Sequence, residues 1–499
     1  MEQNQLFKIN EPKIKFGYGQ LAEDPRDGLA LFGPFDRGDL NDFTLGVVGT
    51  TDGIKICKRW LKKVRGPVFH PTEDIANPFF PGLEETFGIS FNENATKTIE
   101  LDQGLLDTIY RFYDNHIRVA ELVSLYVEAI QHFVSNNERT PDVWILMVPD
   151  KVYAVGRPKS SIPKKDSIPV GFKDKYSRIV PGMFETEEER RWRTAYLYEN
   201  HFHNQLKRRL LGERILTQII RESTISNEGM SIKEIEVFNG QETAKAWNLS
   251  TALYYKLGGT PWKLSDIRRG VCYIGLTFKQ DLTNNDPTYA CCAAQMFLDS
   301  GDGMVFRGRV GPYYNPTTHE YHLSKEQAKE ILHKALQAFD SINDTPAKQI
   351  FIHGKTFFND EEWSGFVEAA EGIGSIIGVR IRPETTFKLF RNGNYPIMRG
   401  TAYLQDERRA YLWTKGFIPR IQSVLGLETP NPMLIQIVRG KASIKTVCKD
   451  ILALTKLNYN SCKFCDGQPV TLKFADMIGE ILTAGPAEDL EILPFKYYI

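Results

Sequence analysis

Four polar residues in the middle of the chain have the types and spacing to hold a phosphate. His203 and Lys207 stand four apart in a run that reads as helix, so their side chains share a face. Gly212 closes that helix, an apolar strand begins, and Gln218 follows eleven residues after Lys207. Lys256 falls in the last turn expected of a later helix, just before Gly258. An ammonium, an imidazole and an amide can together donate to several oxygens of one phosphate. Each residue also has a plainer use. Lys256 complements the negative end of its helix dipole, and a His/Lys pair is common surface decoration. Spacing by itself leaves both readings open.

Other chemistry is thinly supplied. The sequence has no GxxxxGK[ST] loop, no GxGxxG after a strand, no GxSxG and no HExxH. Cys462 and Cys465 form one CxxC pair. Zinc needs two further ligands, and no second pair stands near, so two ordinary thiols is the better account. Seven cysteines, odd in number and scattered, suit a reducing compartment. No apolar run approaches about 18 residues, and the opening MEQNQLFKINEPKIKF lacks the layout of a signal peptide, so a cytoplasmic protein is expected. Sixty-two basic residues balance 62 acidic ones, which argues against a protein coated in basic charge. The distribution is uneven. Lys151 to Ile215 carries fifteen Lys/Arg against eight Asp/Glu, and Asp466 to Glu491 carries six acids and one lysine. A basic region in a neutral protein suits a confined anion-binding channel, although a solvated basic surface reads the same way.

The elements that must position these residues read as α/β. Short apolar runs at Leu45–Val48, Val143–Val148, Cys272–Phe278, Gln349–His353 and Leu434–Val438 have the length and composition of buried strands. Helical patterns lie between them, at 187–211 and at 324–339, the second opened by a capping box from Ser324 to Gln327. Alternation of this kind gives stacked α/β layers. The stretch 157–174, with three prolines and several lysines, reads as a flexible surface loop. Leu257-Gly-Gly-Thr-Pro261 ends a helix with glycine and then forbids its continuation, which marks a domain boundary. With 42% hydrophobic and 25% charged residues, the chain is ordinary for a soluble globular protein, and 499 residues admit two to four domains.

The phosphate-holding run resembles the MID-domain signature of Argonaute proteins. In that family an aromatic or His, a Lys four residues on, a Gln about a dozen residues later and a Lys before Leu-Gly-Gly grip the 5′-phosphate of a guide strand. His203, Lys207, Gln218 and Lys256 match in order and spacing. A further basic residue often stands four before the last lysine; here that position is Ala252, which removes one contact. Val148-Pro149 is similar to the MID strand that leads into the site. The second half resembles a PIWI domain of RNase H fold. Cutting by that fold needs two divalent ions roughly 4 Å apart, clamped by carboxylates on adjacent strands. In Tyr273-Ile-Gly-Leu-Thr277, Thr277 stands where the first aspartate belongs, and in Phe351-Ile-His-Gly-Lys355, Lys355 stands in place of the second. Asp476 matches the last ligand position, but a solvated helix residue is the better account. A lysine repels metal ions and offers them no lone pair, so no catalytic metal is expected.

Asp24–Pro34, Pro81–Phe87 and Leu454–Asn460 look like stretches of short prokaryotic Argonautes, which lack the N and PAZ domains. The resemblance implies an arm at 1–37 packing on PIWI, a Rossmann-like MID domain at 38–260 and an inactive RNase H-like PIWI domain at 261–499. It implies a guide, RNA in the favoured reading, paired with single-stranded target DNA. It also implies Mg2+ at the guide phosphate, held by Gln218 and the C-terminal carboxylate of Ile499. The expected partner is an APAZ-containing effector, of TIR type by closest likeness and otherwise Sir2 or nuclease. The heterodimer would associate further on target binding, in defence against invading DNA. One alternative is a guided endonuclease whose metal site combines Asp476 with Asp299 or Asp302. Another is a small-molecule-binding α/β protein without nucleic acid.

Overall fold

The computed structural model describes residues 6–499 apart from 37–39, 41–42, 92–95, 173–177, 179, 183, 266–267, 269, 281–289, 298–302, 308–311, 343–345 and 487–492. A short strand, β1 (Leu6–Lys8), precedes a four-stranded sheet of β2 (Leu45–Gly49), β3 (Lys97–Glu100), β4 (Val143–Val148) and β5 (Thr217–Arg221). The order is β3-β2-β4-β5, and every pair is parallel. Parallel strands are covered on both faces, which is why LGVVG and VWILMV are apolar throughout and wholly buried. Val47 of β2 packs towards helix α1 (Thr51–Arg65), while Val48 packs towards α2 (Asn115–Asn136).

The charged pattern at 187–211 is not one helix. It breaks into α3 (Glu187–Ala195) and α4 (Phe202–Leu211). A capping box between Thr186 and Glu189 starts the first, and the His201 ring accepts from the Asn204 N–H to start the second. Between them the Glu199 N–H donates to the main-chain oxygen of Ala484, 3.0 Å away, so a tertiary contact overrides helical periodicity. The stretch beginning at 157 is irregular, apart from a turn at Lys164–Asp166, but it is anchored. Buried Arg118 donates to Ser160 O, and the Ile168 N–H donates to Arg111 O. Helix α5 (Glu242–Lys256) then runs to Gly258, whose φ of +107° ends it.

The second sheet has nine strands among the described residues. These are β1, β6 (Val271–Gln280), β7 (Ala290–Phe297), β8 (Gly303–Arg307), β9 (Gln349–Gly354), β10 (Ser375–Pro383), β11 (Thr401–Leu404), β12 (Arg409–Leu412) and β13 (Met433–Arg439). Their order is β1-β11-β12-β13-β10-β9-β6-β7-β8. Only β9 pairs in parallel, with β6 and β10 on either side. Helices α6 (Lys325–Ile342) and α7 (Asp360–Ala369) cover one face, with Ser324 and Gln327 exchanging the capping bonds. On the other face lie α8 (Ile444–Leu454) and α9 (Val470–Leu482). Gly275 allows α9 to settle on β6. A Cβ there would stand 2.0 Å from the Thr471 carbonyl oxygen.

One apolar core runs from the first sheet into the second. Aromatic rings mark the crossing. Trp262 meets Tyr459, Tyr459 meets Tyr255, Tyr255 meets Phe495, and Phe495 stacks on Phe474 at 4.1 Å. Such pairs add about 0.5–1.5 kcal/mol each beyond the area they bury. The amino-terminal residues join the second half: β1 pairs with β11, and Glu11 is gripped by the buried Arg399 and Lys456. No helix among the described residues is long and apolar enough to cross a membrane.

Candidate phosphate-binding pocket

In an open parallel sheet, ligands usually sit at the carboxyl ends of the strands where the order reverses, here between β2 and β4. The candidate residues gather elsewhere, alongside the edge strand β5, where α4, α5 and Ile499 meet. Lys207 projects from the buried side of α4, and Lys256 from the last turn of α5. Gln218 is the second residue of β5. The Lys207 ammonium donates to Thr217 O at 2.9 Å and to the main-chain oxygen of Ile499 at 2.5 Å. The Lys256 ammonium donates to Gln218 Oε1 at 2.5 Å. His203 stands one turn before Lys207 at the solvent side, its Nδ1 3.2 Å from Asn204 Oδ1 and its ring beside His201. The structure therefore brings all four residues together. Ala252, one turn before Lys256, is buried and offers no donor.

The electrostatics are unusual for a resting surface. Lys207 and Lys256 are 2% and 1% exposed, and no Asp or Glu side chain among the described residues pairs with either. Burial lowers Lys207 to about 7. Lys256 is driven well below its ordinary value by burial and then by the charge of Lys207. Solvent reaches His203, yet protein crowds round it. That enclosure, reinforced by Lys207, lowers the imidazole to about 4 and leaves it neutral at pH 7. Two buried ammonium groups beside one another are costly unless an anion offsets them. A doubly charged phosphate would do so. Gln218 Oε1 and Ile499 O are also the hard oxygens that a divalent ion accepts. Each now accepts from a lysine, so they suit such an ion only beside an anion that draws the ammonium groups away.

The positions expected to lack metal-holding chemistry lie at the strand ends of the second sheet. Gly354 pairs with Leu276, which sets Lys355 next to Thr277. Thr277 is buried and its hydroxyl has no partner among the described residues. Asp476 is not the solvated helix residue that the sequence suggested: it is half-buried on α9 and ion-paired with Lys355. One turn on, Glu480 pairs with Lys279, a contact that sequence reading missed although the i,i+4 spacing from Asp476 signals it. No group of three metal-ligating side chains occurs among the described residues. Asp299 and Asp302 lie outside the described residues. Cys462 and Cys465 are buried free thiols, and burial pushes Cys462 up to about 12.

No protein-family model matches the chain. The Argonaute of Aquifex aeolicus is 21% identical over 282 residues, which is 56% of this chain and 36% of that protein. The structure of Clostridium butyricum Argonaute bound to a guide DNA and a 19-mer target DNA superposes with a TM-score of 0.62 at 16% identity. It covers 98% of this chain and 54% of that one. Drosophila Piwi gives 0.57 at 14% identity, over 99% and 56%. The chain thus spans about half the length of these Argonaute structures. At such identities the likeness fixes the fold, and the fold is the mixed α/β architecture of the Argonaute MID–PIWI region.

Proposed function

We propose that this chain is a short Argonaute that recognises nucleic acid through a guide and does not cut. It holds the guide's 5′-phosphate in the β5 pocket and pairs the guide with a target. The observation that carries this reading is the pair of buried lysines, Lys207 and Lys256, converging with Gln218 and His203 without an Asp or Glu side-chain partner among the described residues. Such a pocket is poised for an anion that brings more than one charge. On this reading the lysines trade main-chain and amide oxygens for phosphate oxygens, and His203 donates through one ring nitrogen. A magnesium ion would be held by Gln218 and the Ile499 oxygen beside the phosphate, where it would add charge neutralisation. Sequence is then read by base pairing rather than by side chains. The guide is proposed as RNA, the target as single-stranded DNA, and the response as the work of an APAZ-type effector on another chain.

The test is direct. Lys207→Ala should weaken 5′-phosphorylated guides by about ten- to a hundredfold, the loss of roughly 1.5–3 kcal/mol for one charged contact. Guides ending in a 5′-hydroxyl should be nearly unaffected. Equal loss for both guide types would remove the assignment. A guided endonuclease is the second reading, supported by the surviving Asp476. Magnesium- or manganese-dependent cleavage at one phosphodiester opposite the guide, abolished by Asp476→Ala, would establish it.

A further inference from the structure

The strand ends that lost their carboxylates form a site of their own. Lys355 follows β9 and lies beside Thr277 of β6. Lys279 is two residues further along β6 on the same face, roughly 6–7 Å on. Helix α9 crosses that face and sets Asp476 on Lys355 and Glu480 on Lys279, the second pair at 2.7 Å. The result is two carboxylate–ammonium rungs side by side. The lysines remain open to solvent, 41% and 40% exposed. Beneath them are two polar side chains without a hydrogen-bond partner among the described residues. Thr277 is 3% exposed with an unbonded hydroxyl, and Gln295 is fully buried with both amide atoms unbonded. Gln295 of β7 pairs with Gly275, so it shares the α9 face with Thr277. Unsatisfied buried donors are rare and call for a ligand or an ordered water.

We propose that Lys355 and Lys279 hold two successive phosphodiesters of the strand paired to the guide, each ammonium bridging an α9 carboxylate and a phosphate. The inference rests on the guided-binding reading above. An ammonium has three donors, and each lysine spends one on its carboxylate. The remaining donors point where solvent, and therefore a strand, can reach. The spacing of the rungs is comparable to the step between neighbouring phosphates. Carboxylate–ammonium–phosphate repeats the charge order of carboxylate–metal–phosphate, but the ammonium has no empty orbital. It neutralises a phosphate without activating water or polarising a leaving oxygen. The site retains a strand that a metal pair would cut. Asp476 and Glu480 hold the lysines in place while also repelling the strand, so the carboxylates limit the clamp's strength.

The experiment uses the full chain, a 5′-phosphorylated guide and labelled complementary single-stranded DNA over a range of salt. Lys355→Ala with Lys279→Ala should weaken target binding about fivefold near 0.15 M salt. It should also make the log–log salt dependence shallower by about 2, leaving guide affinity unchanged. Asp476→Asn with Glu480→Gln should act in the opposite direction and tighten the target at an unchanged slope. The carboxamide pair decides the matter if the lysine pair does not fold. Guide binding retained with an unmoved target slope, or a carboxamide pair that weakens the target, overturns the proposal alone. A chain that takes no guide at all fails before target is added, and then the guided-binding reading falls with it.

Discussion

At the scale of single residues, the proposed pocket couples proton to phosphate, each favouring the binding of the other. Burial lowers Lys207 to about 7, because it disfavours the charged form and no Asp or Glu side chain among the described residues restores it. A phosphate favours the charged form, so binding above pH 7 must take up a proton. Affinity for a 5′-phosphorylated guide should therefore fall as pH rises from about 7 to 9. A 5′-hydroxyl guide should show no such slope, and Lys207→Arg, which stays charged, should flatten it. Fluorescence anisotropy across that range decides the point; parallel pH profiles for both guide types would exclude Lys207 as the titrating group. The empty chain responds with the opposite sign. A lysine lowered in the folded state penalises folding fully below about 7, and that penalty lifts as pH climbs towards 10. The identities of these residues were legible in the sequence, since His203, Lys207, Gln218 and Lys256 carry their spacing openly. Their burial was not. Lys256 at a helix end looks like an exposed dipole partner until α5 and β5 are packed together and the ammonium proves 1% exposed.

At the scale of elements, α9 is the part on which most depends. It crosses the face of β6 and β7, packs near α4 and carries Asp476 and Glu480 to the strand ends. Gly275 fixes its height, because any side chain there meets the Thr471 main chain. Gly275→Ala should cost about 1–3 kcal/mol as overpacking against backbone that has no room to yield. A lowered urea midpoint at unchanged slope would register it, with target binding impaired before guide binding. An unchanged midpoint would mean that α9 is not seated as described. The strands were legible because buried parallel strands need continuous apolar runs: 45–48, 143–148 and 349–353 all lie within observed strands. The break within 187–211 was not legible. His201 is an uncommon helix cap, and the pull on Glu199 comes from Ala484, nearly three hundred residues away. Gly275 read as part of a motif, and its packing role appears only once α9 is in place.

At the scale of the whole molecule, the question is what a recognition event by this chain accomplishes. The two halves share one core, so the candidate phosphate pocket on β5 and the lysine rungs under α9 belong to one packed body. Ile499 contacts Lys207, Phe495 beside it stacks on Phe474 of α9, and a shift at the phosphate has a short packed path to α9. Transmission along that path requires two arrangements with different affinity for the guide–target pair. If the chain binds a target through lysines where metals would sit, as proposed, it only blocks that target, and blocking by a scarce protein would be weak defence. On the proposed reading, the activity that follows recognition comes from an effector partner. Such a partner should co-purify with this chain when the neighbouring reading frame is co-expressed, as a stable heterodimer that associates further once guide and matched single-stranded DNA are both bound. If the partner is the NAD-degrading TIR type, NAD should disappear only in that assembled state. Substituting Lys355 and Lys279 together should then raise the target concentration needed for NAD loss without altering the heterodimer. A chain that elutes alone, or NAD turnover indifferent to target, would show that recognition is not coupled to an effector in this way.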